Sequence, residues 1–165
     1  MLQLARPLFL LLLVVTAILI GVTTDRMPAQ IASHFGANGR ANAFMDQSTY
    51  RMFMLAFAVG ITVLVVLVAG VLPRRLSGAV NLPNREYWLA PVRRDATLRY
   101  LESHAYWLGS LLVVFMAAIH FLLIAANASQ PPNLPSRPFV MLMVAFLFGT
   151  GIWMATLILH FRRNR

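Results

Sequence analysis

The chain has 165 residues, of which 59% are hydrophobic and 12% charged, and its mean hydropathy is +0.72. A soluble domain carries roughly 25% charged residues because its surface must be solvated, so this composition excludes an ordinary soluble domain. The net charge of +9 comes from arginine without lysine, and no basic soluble module is present that would bind nucleic acid. Cysteine is absent, which excludes disulfides, thiolate metal sites and covalently attached haem.

Four apolar runs predict four transmembrane helices. Each run is close to the roughly 20 residues that a helix needs to cross a bilayer, and none has a charged residue deep inside it. The runs lack the alternation of barrel strands, and lipid cannot satisfy a bare backbone, so helices are expected. The predicted fold is an all-α, four-helix transmembrane bundle, a single domain over residues 1–165 with spans at about 7–24, 50–72, 104–127 and 139–161.

The distribution of arginine predicts the orientation of the bundle. If the chain crosses four times, ten arginines lie on one side and four lie on the other, namely Arg26, Arg40, Arg51 and Arg137. The positive-inside rule then places both termini and the arginine-rich loop 73–103 in the cytoplasm, and loops 25–49 and 128–138 outside. The inner arginines are expected to contact anionic lipid head groups of the bilayer.

The first span and the loop after it carry the clearest local signals. Arg6 and its apolar run resemble a signal peptide, but the run exceeds the usual 7–15 apolar residues and no clear cleavage site follows, so we expect an uncleaved signal anchor. Pro28 blocks simple continuation of the helix. Asn38 and Gly39 favour a tight turn with positive φ, which predicts a small hairpin or folded-back loop on the outer helix ends.

The inner loop leads into a long third helix. Pro73 ends the second span, and Tyr87 with Trp88 forms an aromatic pair suited to the membrane interface. Pro91 suits the first turn of a helix, and one helix is expected from there through the third span. Its first turns carry charged residues spaced to pair along one face, at i,i+4 and i,i+3: Asp95, Arg99 and Glu102.

Two motifs resemble those of a known family. P-x-x-I-x-x-H-F-x-x-x-G runs from Pro28 to Gly39 in the outer loop, and N-x-P-N-[RK]-[ED]-Y-W runs from Asn81 to Trp88 in the inner loop. Both resemble segments of the bacterial domain of unknown function 1648 family, which is similar in its amino-terminal part to SdpI-type immunity proteins. Those proteins protect a cell from a secreted toxin and hold a repressor at the membrane. The resemblance therefore implies a non-catalytic protein of the bacterial cytoplasmic membrane that senses or binds something.

The candidate ligand-binding positions lie in the outer half of the protein: His34, Phe35, Gly39, His120 and Asn127. The imidazole of His34 can titrate near neutral pH, bind a ligand or hydrogen-bond its own loop. His120 lies within the third span, where a polar residue marks a site or proton path, or else forms an interhelical hydrogen bond. The spacing of the outer histidines and carboxylates fixes no metal site, and we predict none.

Two further histidines lie near the inner ends of the third and fourth spans. His104 and His160 can ligate a haem iron from both sides, or their rings can rest at the membrane interface. The interfacial arrangement needs no cofactor. We therefore predict that the protein has no cofactor.

The sequence predicts no catalytic residues, since it has no nucleophile with a base, no paired catalytic carboxylates and no phosphate loop. We predict a sensor, immunity or accessory protein whose outer loop meets an external peptide or small ligand and whose inner loop meets a cytoplasmic protein. The alternative is a small-solute or proton-coupled transporter that uses His120, although four spans without an inverted repeat make a poor carrier. The inner-loop motif either binds the cytoplasmic partner or only fixes the loop at the membrane interface. Its residues are Asn81, Pro83, Asn84, Arg85, Glu86, Tyr87 and Trp88.

Overall fold

The computed structural model describes residues 2–76 and 80–162. Within these ranges, four helices are long and apolar enough to cross a membrane, as expected of a multi-pass membrane protein. They are α1 (Leu2–Thr24), α2 (Gln47–Arg75), α4 (Pro91–Asn127) and α5 (Ser136–Arg162), and a short helix α3 (Arg85–Trp88) precedes α4. Each predicted span lies inside one of the four long helices. The single helix expected from Pro91 through the third span is confirmed.

The loop between α1 and α2 is a β-hairpin, so the fold is not purely α-helical. Strands β1 (Gln30–Phe35) and β2 (Ala41–Asp46) pair antiparallel. The N–H of Gly39 donates to the carbonyl of Gly36 at 2.9 Å, and Gly39 has φ +78°, as the turn chemistry predicts. Bulges interrupt the register within β1, which is why its strand period is not visible in the sequence.

Helices α1, α2 and α4 share the core of the bundle. At the end that carries the hairpin, called the hairpin end below, the buried cluster includes Ile20, Ile31, Tyr50 and Met54. At the other end, called the loop end because residues 80–90 lie there, the cluster is Ala5, Phe9, Val66, Tyr106 and Val113. The two clusters hold the three helices together along their length.

Gly109 of α4 lies where the three core helices come closest. A Cβ at this position would lie 2.5 Å from Cγ2 of Val66 in α2 and 2.8 Å from Cε2 of Phe9 in α1. Both distances are far below van der Waals contact. The absence of a side chain at Gly109 therefore permits the observed approach of α1 and α2 to α4.

Helix α5 lies at the edge of the bundle and packs mainly on α4. Its contacts include the stacked rings of Phe115 and Phe146, whose centroids are 4.2 Å apart. Phe161 is the only residue of α5 that is classed as buried within the described range. Most of the surface of α5 is therefore not covered by the other described elements of the chain.

Ion pairs connect α2 to α4 at the loop end. Arg74 donates to Glu102 at 2.8 Å and to Asp95 at 3.2 Å, and Asp95 also pairs with Arg99 as its i,i+4 spacing predicts. The predicted pairing of Arg99 with Glu102 is wrong. Glu102 lies on the buried face of α4, with its Cα 3.3 Å from where a Cβ of Gly70 in α2 would be, so it meets Arg74 instead.

Candidate functional site

The hairpin is fixed to the bundle by the side chain of Asn127, near the end of α4. The Oδ1 atom accepts the N–H of Ala32 at 2.7 Å, and Nδ2 donates to the Ala32 carbonyl at 3.0 Å. Nδ2 also donates to the carbonyl of Leu123 at 2.9 Å. The Asn127 amide thus takes the place of a neighbouring strand beside β1, and its polar atoms are occupied by the protein itself.

His120 is 1% exposed and joins all three core helices. The Thr23 hydroxyl donates to the carbonyl of Leu19 at 2.6 Å, so its oxygen accepts from Nε2–H of His120 at 2.7 Å. Nδ1 of the same ring then accepts the Tyr50 hydroxyl at 2.8 Å. In the neutral imidazole this arrangement assigns the proton to Nε2, and both ring nitrogens are bonded. Each group thus donates to the next, from Tyr50 of α2 to His120 of α4, then to Thr23 of α1 and finally to the Leu19 carbonyl of α1.

A groove of about 290 Å³ opens at the hairpin end on another face of α4. Apolar side chains of α2, α4 and the start of α5 line most of it, and β1 covers one end with Ser33, His34 and Phe35. A concave, mostly apolar site with few polar groups is typical of small-molecule binding sites. This groove is the candidate functional site.

His34 lines the groove, and one of its ring nitrogens is not hydrogen-bonded. Nδ1 lies 2.6 Å from Oδ1 of Asn42, an acceptor, so Nδ1 carries the proton in the neutral ring. Nε2 has no partner among the residues that the structure describes. The loop therefore orients His34 through a side-chain bond to Asn42, not through the backbone near Asn38 or Gly39, and leaves Nε2 available to a ligand.

The structure brings together only part of the predicted ligand-binding set. His34 and Phe35 line the groove, while His120 and Asn127 lie elsewhere on α4, bonded within the core. Gly39 lies in the hairpin turn, where its carbonyl accepts the N–H of Leu134 at 2.8 Å. Whether any of the five binds a ligand stays a prediction.

The groove also contains residues that the sequence analysis missed. Its walls include phenylalanines of α2 and α5, namely Phe53, Phe57 and Phe139. Nothing in their spacing marks them, because they lie in apolar runs where every face is hydrophobic. The partners of His120 had a weak signal in the sequence, since Thr23 and Tyr50 are polar residues at the hairpin ends of α1 and α2.

Asp46 joins the hairpin to α2 as the N-cap of that helix. Its carboxylate accepts the backbone N–H of Thr49 at 2.9 Å and the hydroxyls of Ser48 at 2.5 Å and Thr49 at 2.6 Å. The hydrogen bond from the Ser48 side chain, followed by those from Thr49, lowers the pKa of Asp46 well below its ordinary value of 3.8. The charged carboxylate therefore stabilises the folded protein.

An Asp46→Asn variant tests this cap, because asparagine can cap the helix but does not titrate. The lowered pKa predicts that the stabilisation by Asp46 is complete above pH 3.8 and is lost as pH falls through the folded-state pKa. Thermal unfolding in detergent across a pH series is expected to show a constant advantage of wild type over the variant above pH 3.8, shrinking in stronger acid. A difference that does not change in strong acid would contradict the assignment.

The hairpin and its flanking helices coincide with a known sequence family. Residues 11–60 match the family model described as Domain of unknown function (DUF1648). The DUF1648 segment covers much of α1, the whole hairpin and the first half of α2, and it includes the predicted motif from Pro28 to Gly39. The inner-loop motif lies outside the matched residues, and the similarity to SdpI-type proteins stays a prediction. Comparisons with curated proteins and with solved structures find no match.

Outside the DUF1648 segment, the inner-loop motif packs on the loop ends of α4 and α5. Trp88 stacks on His160 with ring centroids 5.3 Å apart and meets Phe161 edge to face at 5.0 Å. The Thr97 hydroxyl donates to the Trp88 carbonyl at 2.9 Å, and Arg93 lies 3.9 Å from the Tyr87 ring centroid. The aromatic pair thus fixes the loop, while Glu86 is exposed.

The two loop-end histidines do not face a shared open space. Tyr100 lies between them, with ring centroids 5.4 Å from His104 and 3.6 Å from His160. Nε2 of His104 also lies 2.9 Å from the Trp153 carbonyl, to which it donates. This packing leaves no room for a haem between the two rings. Across the described ranges, no group of three or more His, Cys, Asp or Glu side chains is placed to hold a metal ion.

Proposed function

We propose that the protein is a non-catalytic sensor, immunity or accessory protein of the bacterial cytoplasmic membrane. In this proposal the hairpin end faces outward and receives a peptide or small ligand, and the arginine-rich loop end faces the cytoplasm and binds a protein. The ten-to-four division of arginines supports this orientation. The match of the hairpin segment to DUF1648 supports the family on which the expected role depends.

The observation that carries the proposal is the continuity of α4. This helix runs for 37 residues without interruption, from the loop end to the hairpin. Asn127 bonds β1 at one end, and Glu102 and Asp95 bond Arg74 of α2 near the other. A displacement of the hairpin by a ligand would therefore move α4, and the same rigid helix would change the contacts at the loop end.

The contacts of His120 support this role over a proton-coupled carrier. Both of its ring nitrogens are bonded within the core, and the chain of donors ends at the Leu19 carbonyl, which cannot pass a proton onward. A carrier would need a group that exchanges protons with the solvent on each side. The hydrogen bonds of His120 are those expected of a residue that holds neighbouring helices together.

The experiment compares cells with the gene deleted with cells that carry tagged wild type or tagged Asn127→Ala at matched protein abundance. The deletion is expected to change tolerance to membrane-active peptides, and tagged wild type is expected to recover a cytoplasmic partner. Asn127→Ala is expected to show the tolerance of the deletion and to recover less of that partner, because it leaves the buried N–H and carbonyl of Ala32 without partners.

Gln130→Ala is the matched control, since Gln130 is exposed in the loop after α4 at the same end of the protein. It is expected to behave as wild type. Unchanged peptide tolerance in the deletion, together with no partner recovered by tagged wild type, would refute the proposal. If Gln130→Ala shows the same defect as Asn127→Ala, the loss does not come from the hydrogen bonds between Asn127 and β1.

A further inference from the structure

The groove at the hairpin end lies between α2 and α5, which pack on two sides of α4 and share no extended contact with each other. Phe53 and Phe57, with ring centroids 4.4 Å apart, belong to its α2 side. Ile119 and Leu122 of α4 and Phe139 of α5 also belong to the apolar lining. All five residues belong to helices suited to crossing a membrane, so the groove opens where lipid chains are available.

The lining of the groove suits a flexible hydrocarbon chain. Of its twelve lining residues, ten are apolar, and only Ser33 and His34 are polar. An acyl chain can follow an apolar surface of this kind, and it needs no hydrogen-bond partner along its length.

Polar and basic residues of β1 and of the start of α5 lie in or next to the lining of the groove. Ser33 and His34 of β1 belong to the lining, and Nε2 of His34 has no partner among the described residues. Arg137, in the first turn of α5, lies in the chain between two lining residues, Leu134 and Phe139. It is exposed, and among the residues that the structure describes no carboxylate pairs with it.

We infer that the groove binds one acyl chain of an anionic phospholipid of the surrounding bilayer, with the head group held at the mouth by Arg137 and His34. The apolar lining accepts the chain, and the unpaired guanidinium selects negative charge. Because Nδ1 of His34 donates to Asn42, Nε2 of the neutral ring accepts, and it suits a hydroxyl of the head group such as those of glycerol in phosphatidylglycerol. This site is a property of the groove alone and does not depend on the sensing role.

The test uses the full-length protein in a neutral detergent and counts bound lipid by native mass spectrometry. The probes are phosphatidylglycerol and phosphatidylcholine with identical acyl chains. Wild type is expected to bind the first phosphatidylglycerol about fivefold more tightly than phosphatidylcholine, and Arg137→Ala to lose this preference. Leu122→Trp, which fills the groove, is expected to abolish that first binding event for both lipids.

Two matched controls separate the groove from general effects. Arg26→Ala removes an exposed arginine at the same end that lines a different cavity, and Met141→Trp adds bulk on α5 at a residue that is 71% exposed and outside the groove. Both are expected to bind as wild type does. Equal binding of the two lipids by wild type, or equal losses in controls and groove variants, would overturn the inference. Should Leu122→Trp not fold, the comparison of Arg137→Ala with Arg26→Ala decides alone.

Discussion

Replacing His120 with alanine is expected to lower the free energy of unfolding by about 3 kcal/mol, since it empties a buried site and removes a partner from the buried hydroxyl of Tyr50 and from the half-buried hydroxyl of Thr23. Tyr50 loses the acceptor of its hydroxyl and a ring contact at 5.8 Å, and Thr23 loses its donor. The three core helices lose their shared polar contact. Unfolding of the purified protein in mixed micelles with increasing denaturing detergent measures the change.

Two further variants make this result specific. Phe121→Ala removes a larger side chain from the next position, but Phe121 is 48% exposed, so a small loss is expected. Tyr50→Phe removes one donor and keeps the ring, and a loss of about 1 kcal/mol is expected, as for other interhelical hydrogen bonds. If His120→Ala is as stable as Phe121→Ala, the hydrogen bonds of His120 do not hold the three core helices together. A stable His120→Ala protein that loses solute uptake in vesicles would favour the carrier instead.

Replacing Gly109 with alanine is expected to lower the free energy of unfolding by about 2 kcal/mol, although alanine normally favours a helix over glycine by about 1 kcal/mol. The added Cβ would lie 2.5 Å from a methyl group of Val66 and 2.8 Å from the ring of Phe9. Val66 is stiff about its first side-chain torsion and cannot turn aside cheaply. The helices must therefore move apart.

Gly151→Ala supplies a control of opposite sign. A Cβ at Gly151 of α5 meets nothing within 4 Å, so only the gain in helix propensity remains. The variant is expected to be as stable as wild type or more stable by up to about 1 kcal/mol. Loss of stability of the same size in both variants would mean that the close approach at Gly109 does not carry the effect. The same detergent titration serves both proteins.

The four spans were predictable because each needs only an apolar run of sufficient length. The long helix that begins at Pro91 was also predictable, since a proline in a first turn followed by a continuous helical pattern predicts one helix. The pairing of Glu102 was not predictable from spacing. Its partner Arg74 lies in another helix, and only the approach of α2 at Gly70 determines which side of α4 is covered.

The candidate site was harder to predict than the helices. His34 and Phe35 were found because they are distinctive residues in a polar loop. The phenylalanine walls, such as Phe53 and Phe139, were not found, because apolar residues in a membrane helix look alike whether they face lipid or a groove. Asn127 was singled out as a ligand-binding position, but the sequence has no signal that its amide would pair with the backbone of Ala32.

The peripheral position of α5 has a consequence for biogenesis. The helices that share the buried clusters, α1, α2 and α4, all precede α5 in the chain, so a ribosome delivers them first. Their mutual packing can therefore begin before α5 enters the bilayer. Folding is then completed when α5 packs on the surface of α4, which the earlier helices have already positioned.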